Sequence, residues 1–137
     1  MRPSAELHEH VEQGKRLFWF EDASDAELDF LYSRAKGLVL ASFAEGFGLP
    51  IVEGFAAGVP VLASDIPVFR EVGAAAAVYA APNDVTGWAR ALARIAGDDA
   101  ERARLRQAGR ARAAELTYDR TAAATLDVLR EVAGGRR

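Results

Sequence analysis

The sequence predicts an α/β fold in which helices cover both sides of a mostly parallel sheet, a three-layer arrangement. Short apolar runs of strand type alternate with longer segments of helical period along most of the 137 residues. Most of these runs give way to small, glycine-containing or proline-containing segments rather than to a two-residue hairpin turn. No internal repeat or low-complexity linker breaks the alternation. Parallel neighbours need a crossover between them, and a helix is its usual form.

In chain order, residues 4–13 read as a helix and residues 16–20 as a short strand. A second helix opens at Ser24, an N-cap with Glu27 three positions on, the spacing of a capping box. The apolar run 36–41 (KGLVLA) is of strand type, and residues 42–48 are too small and too glycine-rich to continue it. Pro50 suits a first helical turn, where its missing N–H costs nothing. Ile51, Val52, Phe55 and Ala56 then form an apolar stripe, and Gly58 ends that helix. Strands are expected at 60–63 and 76–80. Between them, 64–73 (SDIPVFREVG) reads as a loop with a short helical turn at the carboxyl end of its strand, where open parallel sheets bind ligands. Helices follow near 85–95, 100–116 and 118–132, and the Gly-Gly-Arg-Arg tail is expected to fray.

Composition narrows the function. One domain of this length buries a real core. Half of the residues are apolar, yet no run approaches the roughly 18 needed to span a bilayer, and the first residues lack a signal-peptide stretch, so a cytoplasmic protein is expected. Without cysteine there are no disulfides or thiolate metal sites. His8 and His10 are not at helical metal spacing and read as solvated helix residues, so neither metal nor cofactor is expected. The net charge of −3 argues against a nucleic-acid partner. Arg102, Arg104, Arg106, Arg110 and Arg112 read as a solvated helix face.

The chemistry concentrates in residues 45–53, EGFGLPIVE. Gly46, Phe47, Gly48 and Leu49 form a strand-to-helix turn whose backbone N–H groups, with the positive end of the helix dipole, make an anion site suited to a diphosphate. Glu45 precedes the turn and Glu53 lies in or near the first helical turn. Two acceptors flanking a phosphate cradle suit the vicinal hydroxyls of a ribose and a sugar. Read alone, Glu53 is more often simple dipole compensation, worth about 0.3–1 kcal/mol.

The whole string 45–72, EGFGLPIVEGFAAGVPVLASDIPVFREV, resembles the donor-binding segment of the group 1 family of retaining, metal-independent glycosyltransferases, marked by a Glu, seven residues and a second Glu. The likeness extends back through 24–32 (SDAELDFLY) and forward through 80–84 (AAPND) to 117–121 (TYDRT). It implies a Rossmann-like domain, the C-terminal, donor-binding half of a two-domain GT-B enzyme. Glu45 then matches the acid near the donor sugar hydroxyls, the candidate catalytic residue. Gly46, Phe47, Gly48 and Leu49 match the turn facing sugar and diphosphate, and Glu53 matches the acid on the ribose. Ser42 either lines the pocket or serves as a turn hydroxyl. Glu71 matches a recurrent acidic position and reads as a structural pin for its loop. Asp65 and Asp84 read as turn formers, and Tyr118 stands where a tryptophan often begins the last crossing helix.

The family's donor domain begins with two further strand and helix units, the first carrying an Arg and Lys pair that neutralises the leaving diphosphate. Residues 1–15 do not match them, and no acceptor domain is recognisable. The resemblance therefore implies a nucleoside-diphosphate-sugar site that reaches its saccharide or lipid acceptor only through a missing domain and catalyses poorly alone. In the strand order 3-2-1-4-5-6, strand 16–20 would lose its neighbours. It is expected to move beside strand 37–41 or to leave an edge open to self-association. The competing class is a non-catalytic doubly wound module binding a nucleotide or a partner chain. A phospho-receiver is disfavoured because Lys15 and Lys36, the only lysines, are unsuitably placed.

Overall fold

Leu38–Leu40 (β1), Val61–Ser64 (β2) and Val78–Ala80 (β3) form a parallel sheet in the order β1-β2-β3 in the computed structural model, which describes residue 10 and residues 12–134. Leu38 lies opposite Val61 and Leu40 opposite Ala63; Leu62 lies opposite Val78 and Ser64 opposite Ala80. Helix α1 (Asp25–Arg34) precedes β1, and α2 (Leu49–Ala56) links β1 to β2. The link from β2 to β3 is α3 (Pro67–Gly73) with a 3-10 turn at Ala74–Ala76. After β3 come α4 (Val85–Gly97), α5 (Asp99–Glu115) and α6 (Tyr118–Gly134).

All four residues of β2 are buried, because this central strand is covered on both faces. Val61 and Ala63 pack with Ile51 and Phe55 of α2 and with Phe69 and Val72 of α3. Leu62 packs with Val78 and Ala80 of β3, Ile95 of α4 and Leu105 of α5. The expected α/β parallel sheet between helical layers is therefore present.

Side chains close the helix ends. Ser24 and Glu27 form the expected capping box: the Ser24 amide and hydroxyl donate to Glu27 Oε2 at 2.9 and 2.6 Å, and the Glu27 amide donates to Ser24 Oγ at 3.4 Å. Asp84 caps α4 by accepting from the Gly87 amide at 2.9 Å, and Asp98 caps α5 through the Glu101 amide at 2.9 Å.

The chain divides into two compact units, Met1–Phe30 and Leu31–Arg137, and within them several expectations about single elements need correction. In the first, residues 16–20 are not a strand. The Glu12 carbonyl accepts from the amides of Lys15, Arg16 and Leu17, each at 3.0 Å, so local turn bonds use groups that a ladder would need. Only an isolated bridge from Gln13 to Leu17 remains, and the segment does not join the sheet beside β1. Of the expected helix 4–13, residues 4–9 and 11 lie outside the described residues. His10 is not helical, and its Nδ1 accepts from the Glu12 amide. Residues 64–73 are more regular than a loop, because Pro67 opens a helix that buries Phe69 and Val72.

The arginine face is not wholly solvated either. Arg102 is buried and donates to the carbonyls of Ile95 and Ala96 and to the Asp99 carboxylate, satisfying the carboxyl end of α4. Arg112 donates to the carbonyls of Val72 and Glu71 at 2.9 and 2.8 Å. The loop that Glu71 was expected to pin is thus held through backbone carbonyls, and the Glu71 residue itself is exposed.

Helices α2 and α5 approach closely because Gly109 has no side chain. A Cβ there would meet Phe55 Cδ1 at 2.7 Å, and Phe55 is fully buried. Gly109→Ala gains about 1 kcal/mol of helix propensity but overpacks a fixed ring at about 1–3 kcal/mol. Denaturant unfolding is expected to show a net loss of up to about 2 kcal/mol by these two terms; a stabilised variant would show that α5 can move away freely.

Candidate functional site

The chain leaves β1 at Leu40 and enters α2 at Leu49, and the intervening loop carries most of the candidate residues. Gly48 makes the corner with φ +91°, a left-handed conformation that side chains resist. A Cβ at Gly48 would meet Phe69 Cε1 at 2.8 Å, so the corner is also pressed against α3. Pro50 occupies the first turn, as expected, and the Ile51 amide donates to the Gly48 carbonyl at 2.9 Å.

No hydrogen-bond partner is found among the described residues for the amides of Gly46, Phe47, Gly48 and Leu49. No side chain caps α2. Unpaired donors at a helix start, added to the helix dipole, form a positive concentration without a formal cation.

Each flanking acid is reached by a hydroxyl. The Ser42 hydroxyl donates to Glu45 Oε1 at 2.8 Å, and the Tyr32 hydroxyl reaches Glu53 Oε2 at 3.4 Å, near the outer limit of a hydrogen bond. Glu53 is the fifth residue of α2, beyond the first turn. Dipole compensation, which fades within that turn, therefore explains it poorly. Burial pushes the Tyr32 phenol above its ordinary value, and the Glu53 charge and hydrogen bond push the same way.

Phe47 and Leu49, with Val52, Leu116, Thr117, Tyr118 and Thr121, also line an apolar cavity of about 110 Å³ at the start of α6. Asp65, expected only to shape a turn, pairs both carboxylate oxygens with Arg70 at 2.7 Å. That guanidinium lies 4.1 Å over the Tyr79 ring, and it holds the Asp65 carboxyl below its usual range.

Sequence reasoning missed Tyr32 and Ser64. Ser64 Oγ accepts from the Ser42 amide at 2.9 Å. Both contacts join residues more than twenty positions apart, across elements whose pairing local pattern does not reveal. The hydroxyl directly after the apolar run of β2 was the one available signal for Ser64.

The family model for glycosyl transferases group 1 matches residues 3–112, which include β1, the Gly48 corner and both acids. The chain belongs to this family. It is 34% identical over 124 residues to the O-antigen chain mannosyltransferase B of Escherichia coli, covering 88% of the chain and 32% of that protein. With the serotype-specific mannosyltransferase WbdA of Escherichia coli it shares 43% identity over 82 residues, 58% of the chain and 10% of that protein. A D-inositol 3-phosphate glycosyltransferase of Salinispora arenicola is 34% identical over 107 residues, 77% of the chain and 24% of that protein. The chain thus spans between a tenth and a third of these glycosyltransferases. Among the described residues no helix is long and apolar enough to cross a membrane, and no metal-binding cluster of three His, Cys, Asp or Glu occurs.

The Tyr32 shift gives a direct check on the Glu53 contact. Because the folded value is raised, Tyr32 stays neutral in the folded protein through the ordinary phenol range, and stability falls as pH rises from the ordinary phenol value through the folded one. In Glu53→Gln the negative charge disappears while burial remains, so the titration midpoint is expected to fall without reaching the free phenol value. An NMR titration of Cζ-labelled tyrosine reads this; an unmoved midpoint would separate the two side chains.

Proposed function

We propose that this chain is the donor-binding segment of a retaining, metal-independent glycosyltransferase that holds a nucleoside-diphosphate sugar at the Gly48 corner. The observation that carries the reading is the row of amides at residues 46–49, unpaired among the described residues and flanked along the chain by two acids that each meet a hydroxyl. The amides bind the diphosphate. Glu45 accepts from hydroxyls of the donor sugar and is the candidate catalytic residue, and Glu53 accepts from the ribose. Ser42 orients Glu45.

The names of the mannosyltransferase relatives make mannose the first sugar to test, with guanosine, uridine and adenosine diphosphates as carriers. The acceptor, a saccharide or lipid, meets the donor through parts of the enzyme outside this chain, on the cytoplasmic side. Departure of the nucleoside diphosphate builds negative charge that amides offset only in part. Arg70, on the helix after β2, is already engaged by Asp65. Transfer by the chain alone is therefore expected to be poor. The outer edge of β1 has no strand beside it among the described residues, which is where a companion strand or a second copy would pair. A binding-only module remains the second class, and the family match favours the enzyme.

Calorimetric titration with GDP, UDP and ADP tests the reading. One of the three is expected to bind, equally well in excess chelator. Glu53→Ala is expected to weaken it about 10- to 100-fold, the worth of a hydrogen bond to a charged group. Equal heats for variant and parent, or loss of binding in chelator, would overturn the assignment.

A further inference from the structure

We propose that Ser64 is a positioning residue for the donor sugar, acting from inside the sheet through Ser42 on Glu45; the proposal rests on the donor-binding reading above. Ser64 ends β2 and is 1% exposed. Its Oγ accepts the amide of Ser42 at 2.9 Å, and the hydroxyl of Ser42 donates to Glu45 Oε1 at 2.8 Å. Two hydrogen bonds therefore connect a fully buried strand end to an exposed carboxylate.

That connection matters because little else fixes Glu45. It lies on the irregular stretch between β1 and α2, and its neighbours Phe43, Ala44, Gly46 and Phe47 are all exposed. Among the described residues, the Ser42 hydroxyl is the one polar group bonded to the Glu45 carboxylate. A carboxylate that selects sugar hydroxyls must be held in place before the ligand arrives, or ordering it consumes the binding energy. Packing holds the Ser64 hydroxyl, the hydroxyl holds the Ser42 backbone, and Ser42 aims the acid. The turn amides that would meet the diphosphate lie beyond Glu45, at the Gly48 corner fixed by Phe69. Loss of Ser64 should disturb the sugar while sparing the diphosphate.

A hydroxyl that only satisfied a buried amide would affect stability and weaken every ligand alike. The two roles separate by comparing a nucleotide with its sugar ester. GDP and GDP-mannose, with UDP and UDP-glucose as the second pair, are titrated into the full chain and into Ser64→Ala, Ser64→Thr, Ser42→Ala and Glu45→Ala. Ser64→Ala is expected to weaken the nucleotide sugar about 3- to 10-fold, the range of a neutral hydrogen bond. Binding of the free diphosphate should change less than about twofold, within the scatter expected for independent sites. Ser64→Thr should restore affinity, and Ser64→Ala should add nothing to Glu45→Ala.

Equal weakening of both ligands, or no weakening, in a folded Ser64→Ala protein overturns the positioning role. Should Ser64→Ala fail to fold, Ser42→Ala breaks the same path without entering the core, and the absence of its selective loss is equally decisive. The donor reading fails separately, and takes this proposal with it, if the parent binds none of the four nucleotides or if Glu45→Ala binds the sugar esters as the parent does.

Discussion

The contact between the Gly48 corner and Phe69 is the constraint on which the site depends. Gly48 turns with φ +91°, and the space that a side chain would occupy there is filled by the Phe69 ring. Phe69 is fully buried on α3, the helix that follows β2. The start of α2 is thus fixed by the element that leaves the neighbouring strand, and the turn cannot open without emptying part of the core. A left-handed residue costs little only when it is glycine, and close approach to an aromatic face makes the same demand. Both requirements converge on one position, so the direction of the turn amides is set by packing rather than by a ligand.

The parallel sheet supplies the second anchor. β1 and β2 run the same way, so their carboxyl ends lie together, and Ser64 at the end of β2 can reach the amide of Ser42 just beyond β1. An antiparallel pair would have put those ends on opposite sides of the sheet. The serine link is a consequence of topology, which is why an α/β chain can assemble a site from loops separated by a whole helix. The same logic explains Arg112, which crosses from α5 to the carbonyls of Glu71 and Val72 and holds the end of α3.

Local pattern carried the fold a long way. The capping box at Ser24 and Glu27, the apolar runs of β1, β2 and β3 and the proline opening of α2 were all legible, because each depends on residues within a few positions. The failures have a common cause. Residues 16–20 have strand composition, but a strand exists only with a neighbour, and Glu12 captures their first amides in a turn. Arg102 looked solvated because its partners are carbonyls at the end of the preceding helix, which no side-chain pattern announces. At the loop after β1, the glycine corner and the Ser42 hydroxyl could be read from the local string, whereas the hydroxyls of Tyr32 and Ser64, which reach it from other elements, could not. Tyr32 and Ser64 are ordinary residues made specific by three-dimensional position.

Placing two carboxylates around a diphosphate needs an electrostatic account, since like charges repel. The four turn amides, unpaired among the described residues, and the helix dipole contribute roughly half a positive charge at the corner, without the desolvation cost of a buried cation. Ser42 and Tyr32 each direct a hydroxyl dipole at one acid and offset part of its negative charge. Sugar and ribose rings would then stand between each acid and the phosphates, supplying donors to the carboxylates and spacing the charges apart. Inorganic phosphate or pyrophosphate lacks those rings and would meet the repulsion without the compensating hydrogen bonds. On the proposed reading, such an arrangement would reject bare phosphates by charge and accept a glycosylated nucleotide by its hydroxyls. The flanking acids would then discriminate against simple anions that the amides alone would bind.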